Sequence, residues 1–229
     1  MNAVYCTSLG AYLPGAPIDN DQMETVLGLI GGQPSRLKAR VLKSNGIRTR
    51  HYALDGAQQT TVQNEEMASA AIQACLTQSP WEPSDIGMLA VASAQGDLIL
   101  PGFASQVQAA VGMPGVEILT THGICSSGMM ALKATVNSLR LGEHDRAVVC
   151  ASELVSRNLK ASRYEAAGYG LEGALPGLDA EFLRWMLSDG AAAALLETAP
   201  AERGLSLRVD WIRLMSQAQS YPVCMSAGR

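Results

Sequence analysis

The order of strand-like and helix-like segments is the feature that most restricts the fold of this chain. Residues 86–94 and 146–152 are apolar runs that suit strands covered on both faces. Helix patterns at residues 65–78 and after residue 128 precede these runs. Because strands alternate with helices, we predict an α/β fold with a mostly parallel sheet between helices. Ligands of such sheets bind outside the carboxyl ends of strands.

Shorter elements fill the rest of the predicted fold. Asn64 is predicted to cap the helix at residues 65–78. Extended segments are predicted at residues 3–9, 47–54, 116–121, 191–197 and 205–215. Helices are predicted from residue 20 or 21 to 30, at 35–43, from 101 onward and at 179–187, with an irregular glycine-rich segment at 164–178.

Residues 120–132 place a cysteine where a predicted strand turns into a helix. Two glycines and two serines surround Cys125, and such small residues allow a tight turn and the close approach of another backbone. A thiol there faces unpaired backbone N–H groups and the positive end of the helix dipole, which favour the nucleophilic thiolate. The arrangement is that of a nucleophile elbow with sulfur in place of oxygen.

A second interpretation of Cys125 is an ordinary buried thiol, which is how most single cysteines behave. The small residues and the helix start favour the nucleophile. His122 is not predicted to be its partner. Three residues upstream in an extended segment, the side chain of His122 points to the opposite face. We interpret His122 as a packed or capping histidine.

Composition argues against several classes of function. The chain has 229 residues, enough for one large domain or two small ones, and 48% hydrophobic residues, enough for a sizeable core. A net charge of −4 and scarce aromatic residues argue against nucleic-acid binding. Five irregularly spaced cysteines without a C-x-x-C pair predict reduced thiols in the cytoplasm and no metal site. No signal peptide or membrane-spanning run is predicted.

Five segments carry a family pattern in the same order along the chain. They are Gly-Ile-Arg-Thr-Arg at 46–50, Pro-x-x-Ala-x-x-Val-Gln at 101–108, Cys-Ser-Ser-Gly at 125–128, the strand ending in an acid at 146–153, and Ser-Asp-Gly-Ala-Ala-Ala at 188–193. Together they resemble the thiolase-fold condensing enzymes, specifically the ketoacyl synthase III branch. The last segment departs from that family's Gly-Asp-Gly-Ala-Gly-Ala.

The resemblance implies a layered αβαβα fold made of two similar halves. Residues 1–200 would be the first half and residues 201–229 the beginning of the second. It also implies that Cys125 accepts an acyl group from a coenzyme A or carrier-protein thioester. A malonyl-type thioester would then lose carbon dioxide and attack the acyl-enzyme, with the backbone N–H of Cys125 in the oxyanion hole, and a 3-oxoacyl-type thioester is the alternative extender. The resemblance also implies a homodimer. It implies no cofactor, since the thioesters are substrates.

The same resemblance suggests binding residues, each with an alternative. Arg157 resembles an arginine that contacts the nucleotide end of coenzyme A, or it is a solvated surface residue. Leu100 resembles a residue that lines the partner's acyl tunnel across the dimer interface, or it is a core leucine. Met129 and Met130 line that tunnel or pack in the core. Asp189 is interpreted as part of a structural turn.

The family takes a histidine and an asparagine from its second half, and the histidines here lie outside that region. We predict that these partners lie beyond residue 229, in a separate chain or a lost segment. A lone first half would expose a wide apolar face and need its second half or another partner. His51 is interpreted as a residue of the basic segment, and His144 as a residue of the turn after a helix. The other four cysteines are interpreted as packing residues: Cys6, Cys75, Cys150 and Cys224.

Three functional classes follow from the resemblance. The first is a condensing enzyme of fatty-acid initiation or of specialised polyketide, quinolone or dialkylresorcinol-type metabolism. The second is a non-condensing acyltransferase that forms an ester or amide. The third is a partner subunit of a heterodimeric ketosynthase, against which the retained Cys125 argues. The altered segments at residues 126–130 and 188–193 favour a specialised relative within the first class.

Overall fold

The computed structural model describes residues 1–204, 206–222 and 225. The chain forms two compact units. The first comprises residues 1–13, 62–153 and 190–214, and the second comprises residues 14–61, 154–189 and the described part of 215–229. The division of the chain at residue 200 into two thiolase-like halves stays a prediction.

The first unit is built on a six-stranded sheet, whose strands are β1 (Tyr5–Tyr12), β4 (Met88–Ala92), β5 (Glu117–Thr121), β6 (Arg146–Glu153), β7 (Gly190–Glu197) and β8 (Leu207–Arg208). Their order in the sheet is β5-β4-β6-β7-β1-β8. Three helices accompany them: α3 (Asn64–Leu76), α4 (Phe103–Val111) and α5 (Ser127–Leu141).

The sheet is mixed rather than mostly parallel. Strand β4 pairs in parallel with β5 and β6, whereas β7 is antiparallel to both β6 and β1, and β8 is antiparallel to β1. The parallel strands follow one another through the crossover helices α4 and α5, and parallel pairing requires such connections. The parallel pairing predicted from the alternation of strands and helices is therefore found in β4–β6, and the sheet as a whole is the mixed sheet of a thiolase-like half.

The core of the first unit lies on both faces of β4, as the apolar run at residues 86–94 predicts. Every residue of β4 is buried. Met88, Ala90 and Ala92 pack with residues of α5 in one cluster. Helix α3 lies directly against β1, because a Cβ on Gly10 would overlap the backbone of Ala71 and Cys75. Strand β5, at the edge of the sheet, is mostly exposed, so not every strand is covered on both faces.

The start of α3 differs from the prediction. The capping box is formed by Gln63 and Glu66, whose side chain accepts a hydrogen bond from the Gln63 N–H at 2.7 Å. Asn64 is the first helical residue and is fully buried. A buried amide needs several partners at once, and those partners come from residues distant in sequence, which local pattern does not reveal.

The second unit has a small antiparallel sheet and a core around Trp185. Its elements are β2 (Ile18–Asp19), α1 (Met23–Leu27), α2 (Lys38–Asn45), β3 (Thr49–Arg50), α6 (Ser156–Leu159), α7 (Ala161–Ala166) and α8 (Leu178–Glu181). Helix α1 is shorter than predicted because Gly28 leaves the helix at a φ of 83°. The predicted helix at 179–187 is split into α8 and a 3-10 turn, Leu183–Trp185.

The predicted strand at residues 205–215 is also much shorter. It is reduced to β8, and Leu205 lies outside the described residues. Trp211 and Met215 are exposed at 77% and 61%. Most of the loop predicted at residues 220–229 lies outside the described residues as well. Among the described helices, none has the length and apolarity needed to cross a membrane.

Candidate active site

Cys125 lies in a turn that joins a strand to a helix. Strand β5 ends at Thr121, a 3-10 turn spans Ile124–Ser126, and α5 begins at Ser127. The side chain of Cys125 is exposed. The predicted strand-to-helix turn is therefore confirmed, with one 3-10 turn between the strand and the helix. An exposed thiol beside the first N–H groups of a helix is placed to act as a nucleophile.

The turn is held together by its own residues. The buried Ser127 Oγ accepts a hydrogen bond from the Gly123 N–H at 2.8 Å and donates one to the Ile124 carbonyl at 2.6 Å. The hydroxyl of Thr121 donates to the carbonyl of Ser127 at 2.9 Å. The hydroxyl of Ser126 donates to the Gly123 carbonyl at 2.8 Å. The side chain of Ser127 therefore ties the start of α5 to the two residues before Cys125 and closes the turn around it.

Ile124, the residue before Cys125, has a φ of 50°. A β-branched residue in this left-handed region carries backbone strain of about 1–3 kcal/mol. The side chain of Ile124 is 54% exposed, so burial offsets little of that cost. Strained residues that the surrounding structure holds in place cluster at functional sites, which fits a nucleophile elbow.

Two glycines allow the turn to pack closely. A Cβ on Gly123 would collide with Met130 Sδ, and a Cβ on Gly128 would lie 3.3 Å from the Cβ of Ala151 on β6. The first glycine therefore admits the Met130 side chain beneath the turn, and the second allows α5 to start close to the sheet. The small residues were predicted to allow the close approach of another backbone, whereas the atoms that approach these two glycines belong to side chains.

A buried polar network lies at the carboxyl ends of β4 and β6. The side chain of Asn64 donates to Ser93 Oγ at 3.1 Å and to the carbonyls of Gln95 and Ser152 at 3.4 Å, and its Oδ1 accepts from Ser152 Oγ at 2.6 Å. The Glu153 carboxylate accepts from the Ala94 N–H. The network fixes the backbone of residues 93–95.

His122 approaches this network, and it was not predicted to be the partner of Cys125. Its Nε2 lies 2.7 Å from the carbonyl oxygen of Ala94. A ring nitrogen that contacts a carbonyl is a donor, so the proton of this tautomer lies on Nε2. His122 is exposed, so this contact fits the interpretation as a capping residue and not the one as a packed residue.

Comparison with known protein families identifies the family of this chain. The family description "Thiolase, N-terminal domain" matches residues 44–174, more than half of the chain, and this span includes the elbow. The chain belongs to the thiolase family. The fold implied by the sequence is therefore confirmed.

Curated relatives of this thiolase-family chain are β-ketoacyl-[acyl-carrier-protein] synthases III. The protein from Dinoroseobacter shibae is 32% identical over 152 residues, which cover 66% of this chain and 43% of the relative. The protein from Jannaschia sp. is 33% identical over 150 residues, with 65% and 43% coverage. The matched part of the chain thus spans under half the length of these relatives.

Solved structures give the same fold. The tetronic acid condensing enzyme AbyA1 matches with a TM-score of 0.70 and 25% identity, over 87% of this chain and 56% of that one. The 3-oxoacyl-(acyl carrier protein) synthase III of Pseudomonas aeruginosa matches with a TM-score of 0.63 and 23% identity, over 89% and 54%. The latter likeness concerns the fold alone.

The other candidates on the first unit are surface residues. Leu100 is 82% exposed, and Met129 and Met130 are 45% and 37% exposed. Their alternative interpretation as core residues is therefore wrong. Leu100 follows Leu98 and Ile99, which are 58% and 96% exposed, so three consecutive large apolar side chains face outward. Their roles in binding an acyl chain stay predictions.

Arg157 and Asp189 belong to the second unit. Arg157 is half-buried in α6, and its carbonyl accepts a hydrogen bond from Arg163 Nε at 3.4 Å. The buried carboxylate of Asp189 accepts from the backbone N–H groups of Ala53 and Ser156, both at 2.8 Å. Burial raises the pKa of Asp189 against the opposing effect of these bonds. The structural role predicted for Asp189 fits these contacts, and the contact of Arg157 with coenzyme A stays a prediction.

The remaining cysteines contrast with Cys125. Cys75 and Cys150 are buried, and burial raises the pKa of both, that of Cys150 to about 12. Burial also raises the pKa of the half-buried Cys6. These three therefore remain thiols at neutral pH, as packing residues do. Cys224 lies outside the described residues.

The other two histidines lie in their own local environments. The Nδ1 of His51 is 3.1 Å from the carbonyl of Pro14. His144 pairs with Glu117 at 2.8 Å, in the turn where it was predicted. Within the described ranges of the chain, no group of three or more histidine, cysteine or acidic side chains is arranged to hold a metal ion.

Sequence reasoning missed several residues that build the site. Asn64 was read as a cap, and Glu65, Ser93 and Asp97 were not singled out. The local signal was three polar residues, Asn64, Glu65 and Glu66, at the start of a mostly apolar helix. Ser127 was noted for its size, and its role as the residue that closes the turn depends on the hydroxyl.

Proposed function

We propose that Cys125 is the acyl-accepting nucleophile of a β-ketoacyl synthase III-like condensing enzyme, completed by a second half that supplies the histidine and asparagine. The observation that supports this most directly is the exposed Cys125 in a strained elbow after β5, in a chain of the thiolase family. The relatives named above are synthases of this type, and the chain covers under half of their length.

In the first step, the thiolate of Cys125 attacks the carbonyl carbon of an acyl-coenzyme A or acyl-carrier-protein thioester. A new sulfur–carbon bond forms, and the carrier leaves as a thiolate that takes up a proton. The negative charge on the carbonyl oxygen in between is stabilised by backbone N–H groups, including that of Cys125. The turn fixed by Ser127 holds that N–H in place before the substrate arrives.

In the second step, a malonyl-type thioester breaks its bond to the carboxyl carbon and releases carbon dioxide. The electron pair left on the α-carbon attacks the carbonyl of the acyl-cysteine. Cys125 leaves as thiolate, and a 3-oxoacyl thioester is the product. A 3-oxoacyl-type extender, the alternative in specialised metabolism, would give up a proton from its α-carbon in place of carbon dioxide, and Cys125 would keep the same role.

The enzyme is proposed to act in the cytoplasm as a homodimer. Strand β5 pairs only with β4 in the described part of the chain, so its outer edge offers free backbone groups. Leu98, Ile99 and Leu100 add an apolar surface that a monomer rarely exposes. Light scattering at several protein concentrations tests the dimer, and a monomer at all of them would contradict it.

The nucleophile is tested by denaturing intact-protein mass spectrometry after exposure to a panel of acyl-coenzyme A thioesters, with the second half present. We expect a mass gain of one acyl group that maps to Cys125. The Cys125→Ala variant should lose it completely, whereas Cys6→Ala, which removes a half-buried thiol, should keep it. Equal acylation of wild type and Cys125→Ala would contradict the assignment.

The non-condensing acyltransferase is the second candidate, because it shares the acyl-cysteine. The two differ in the fate of the extender, so the acylated protein should be offered a malonyl thioester or an alcohol. Release of carbon dioxide with a 3-oxoacyl product supports condensation. Transfer to the alcohol without carbon dioxide supports the alternative.

A further inference from the structure

The second unit contains a cavity that the proposed function does not use. Its volume is about 490 Å³, which is in the range of small-molecule sites. Two loops form it: the loop between α1 and α2, and the glycine-rich segment between α7 and α8. A second cavity of about 200 Å³ shares Arg36 and Leu175 with the first. These two side chains therefore stand where the cavities meet.

One wall of the larger cavity is a crossing of two glycines, Gly31 and Gly170. A Cβ on Gly31 would lie 2.7 Å from the Cα of Gly170, so the two backbones are in direct contact. The Gly31 N–H donates to Glu165 Oε1 at 3.0 Å, and the Gly170 N–H donates to the Ala174 carbonyl at 2.7 Å. This wall is thus fixed by hydrogen bonds before any ligand arrives.

The opposite end of the first loop is fixed as well, at the start of α2. The hydroxyl of Ser35 accepts hydrogen bonds from the N–H groups of Leu37 and Lys38, both at 3.1 Å. The Ser35 N–H donates to Glu24 Oε1 at 2.7 Å. Arg36 lies between these anchored residues, so its backbone has a defined place at the cavity.

Arg36 is a cation that has no acid of its own. Its side chain is exposed and forms no ion pair with any residue that the structure describes. The nearby acids are already engaged: Glu24 pairs with Lys38 at 3.1 Å, and the buried Glu181 accepts two side-chain hydrogen bonds. No acidic residue occurs between Glu24 and Asp55 in the sequence. The guanidinium of Arg36 is therefore available to an external anion.

The lining of the cavity restricts which anion fits. A guanidinium presents two parallel N–H donors, which match the two oxygens of a carboxylate. Ile30, Pro34 and Leu175 supply apolar surface, and Gln33 adds a neutral amide. One cation suits a single negative charge better than the double charge of a phosphate. A ligand that matches both parts has one carboxylate and an aliphatic body.

We propose that this cavity binds a monocarboxylic acid with an aliphatic chain, of the medium-chain fatty-acid class, whose carboxylate pairs with Arg36 and whose chain lies against Leu175. The ligand is a free acid rather than a thioester. The site goes beyond the proposed function and does not depend on it, because Arg36 and Leu175 belong to the second unit and Cys125 to the first.

Isothermal titration calorimetry with sodium octanoate tests the proposal, on the protein with its second half present. Two probes each lack one half of the ligand: 1-octanol has no charge, and inorganic phosphate has no chain. Octanoate should bind at least about tenfold more tightly than either, because it alone meets both the guanidinium and the apolar wall. Equal binding of phosphate and octanoate would overturn the proposal.

Arg36→Gln is the decisive variant, because it removes the charge and keeps a side chain of similar polarity. Octanoate binding should weaken by about tenfold or more, as for the loss of a hydrogen bond to a charged group. Arg40→Gln is the matched control: Arg40 is exposed one helical turn further along and does not line the cavity, so binding should equal that of the wild type. Equal octanoate affinity in Arg36→Gln and wild type would place the acid elsewhere, including at the proposed acyl site, and would overturn the proposal.

The apolar contact is tested by chain length. Affinity in the wild type should rise from acetate to octanoate, because each added methylene group is removed from water. The rise should be smaller in Leu175→Ala, which shortens the half-buried side chain shared by both cavities. The same rise in both proteins would contradict the placement of the chain against Leu175. These are binding measurements, so their outcome is independent of whether Cys125 is acylated.

Discussion

Two neighbouring connections at the carboxyl ends of parallel strands are held in place in different ways. The turn after β5 carries Cys125 and is closed by hydrogen bonds among residues 121–127. The loop after β4 carries Leu100 and is held by Asn64, Glu65 and Glu153, which come from α3 and β6. The first connection is locally determined, and the second depends on contacts across 30 or more residues.

This difference suggests that the two connections serve different purposes. A nucleophile and its oxyanion hole need a fixed geometry, and a short turn closed by one buried serine provides it. A segment that is proposed to meet variable acyl chains would benefit from a position that can adjust. Substitutions that affect one connection and leave the other unchanged test this distinction.

The largest effect on stability is expected for Asn64→Ala. The change removes three donated hydrogen bonds and one accepted bond from a fully buried network, at a cost of about 3 kcal/mol. Urea unfolding measures it. Gln63→Ala is the control at the exposed helix cap, with an expected cost of about 1 kcal/mol. Equal costs would show that Asn64 acts only through the helix start.

A smaller effect is expected for Ser127→Ala. It leaves the Gly123 N–H and the Ile124 carbonyl without this partner, and it should cost about 1–2 kcal/mol in urea unfolding. The rate at which iodoacetamide alkylates Cys125, followed by mass spectrometry, should also change, because the turn that presents the thiol loosens. Ser126→Ala removes one exposed bond and serves as control. An unchanged alkylation rate in Ser127→Ala would contradict local closure of the turn.

Relief of backbone strain should stabilise the chain by about 1 kcal/mol in Ile124→Gly, because glycine adopts a φ of 50° without steric cost. Thermal unfolding would detect the gain. Ile124→Ala keeps a Cβ and should give no gain, which makes it the matched control. Stabilisation of both variants to the same extent would mean that the exposed side chain, and not the backbone, is the source.

Leu100→Phe should change stability least, by less than about 0.5 kcal/mol, because the side chain is 82% exposed. Its expected effect is on the proposed function: a shift of the acylation panel toward shorter chains, since the larger ring occupies space in the acyl tunnel. Ile99→Phe, at the more exposed neighbouring position, should leave the chain-length profile unchanged. The same profile for Leu100→Phe and wild type would count against the tunnel role.

The sequence predicted those parts of the fold that depend on neighbouring residues. The strand-to-helix turn at Cys125, the fully buried β4 and the start of α4 after Pro101 were all readable from local pattern. The helix at 179–187 was not, because Arg184 donates to the carbonyls of Leu159 and Leu27, which lie 25 and 157 residues away along the chain. Hydrogen-bond partners so far away leave no trace in local periodicity.

By itself, the sequence determined that this chain is an α/β protein of the thiolase family with a cysteine in a tight turn, because apolar periodicity and small residues act over a few positions. The tertiary structure decided the antiparallel half of the sheet, the inward role of Asn64 and the meeting of Glu65 with Asp97. Each of these depends on which distant backbone satisfies a buried polar group, and that choice is made only when the chain is packed.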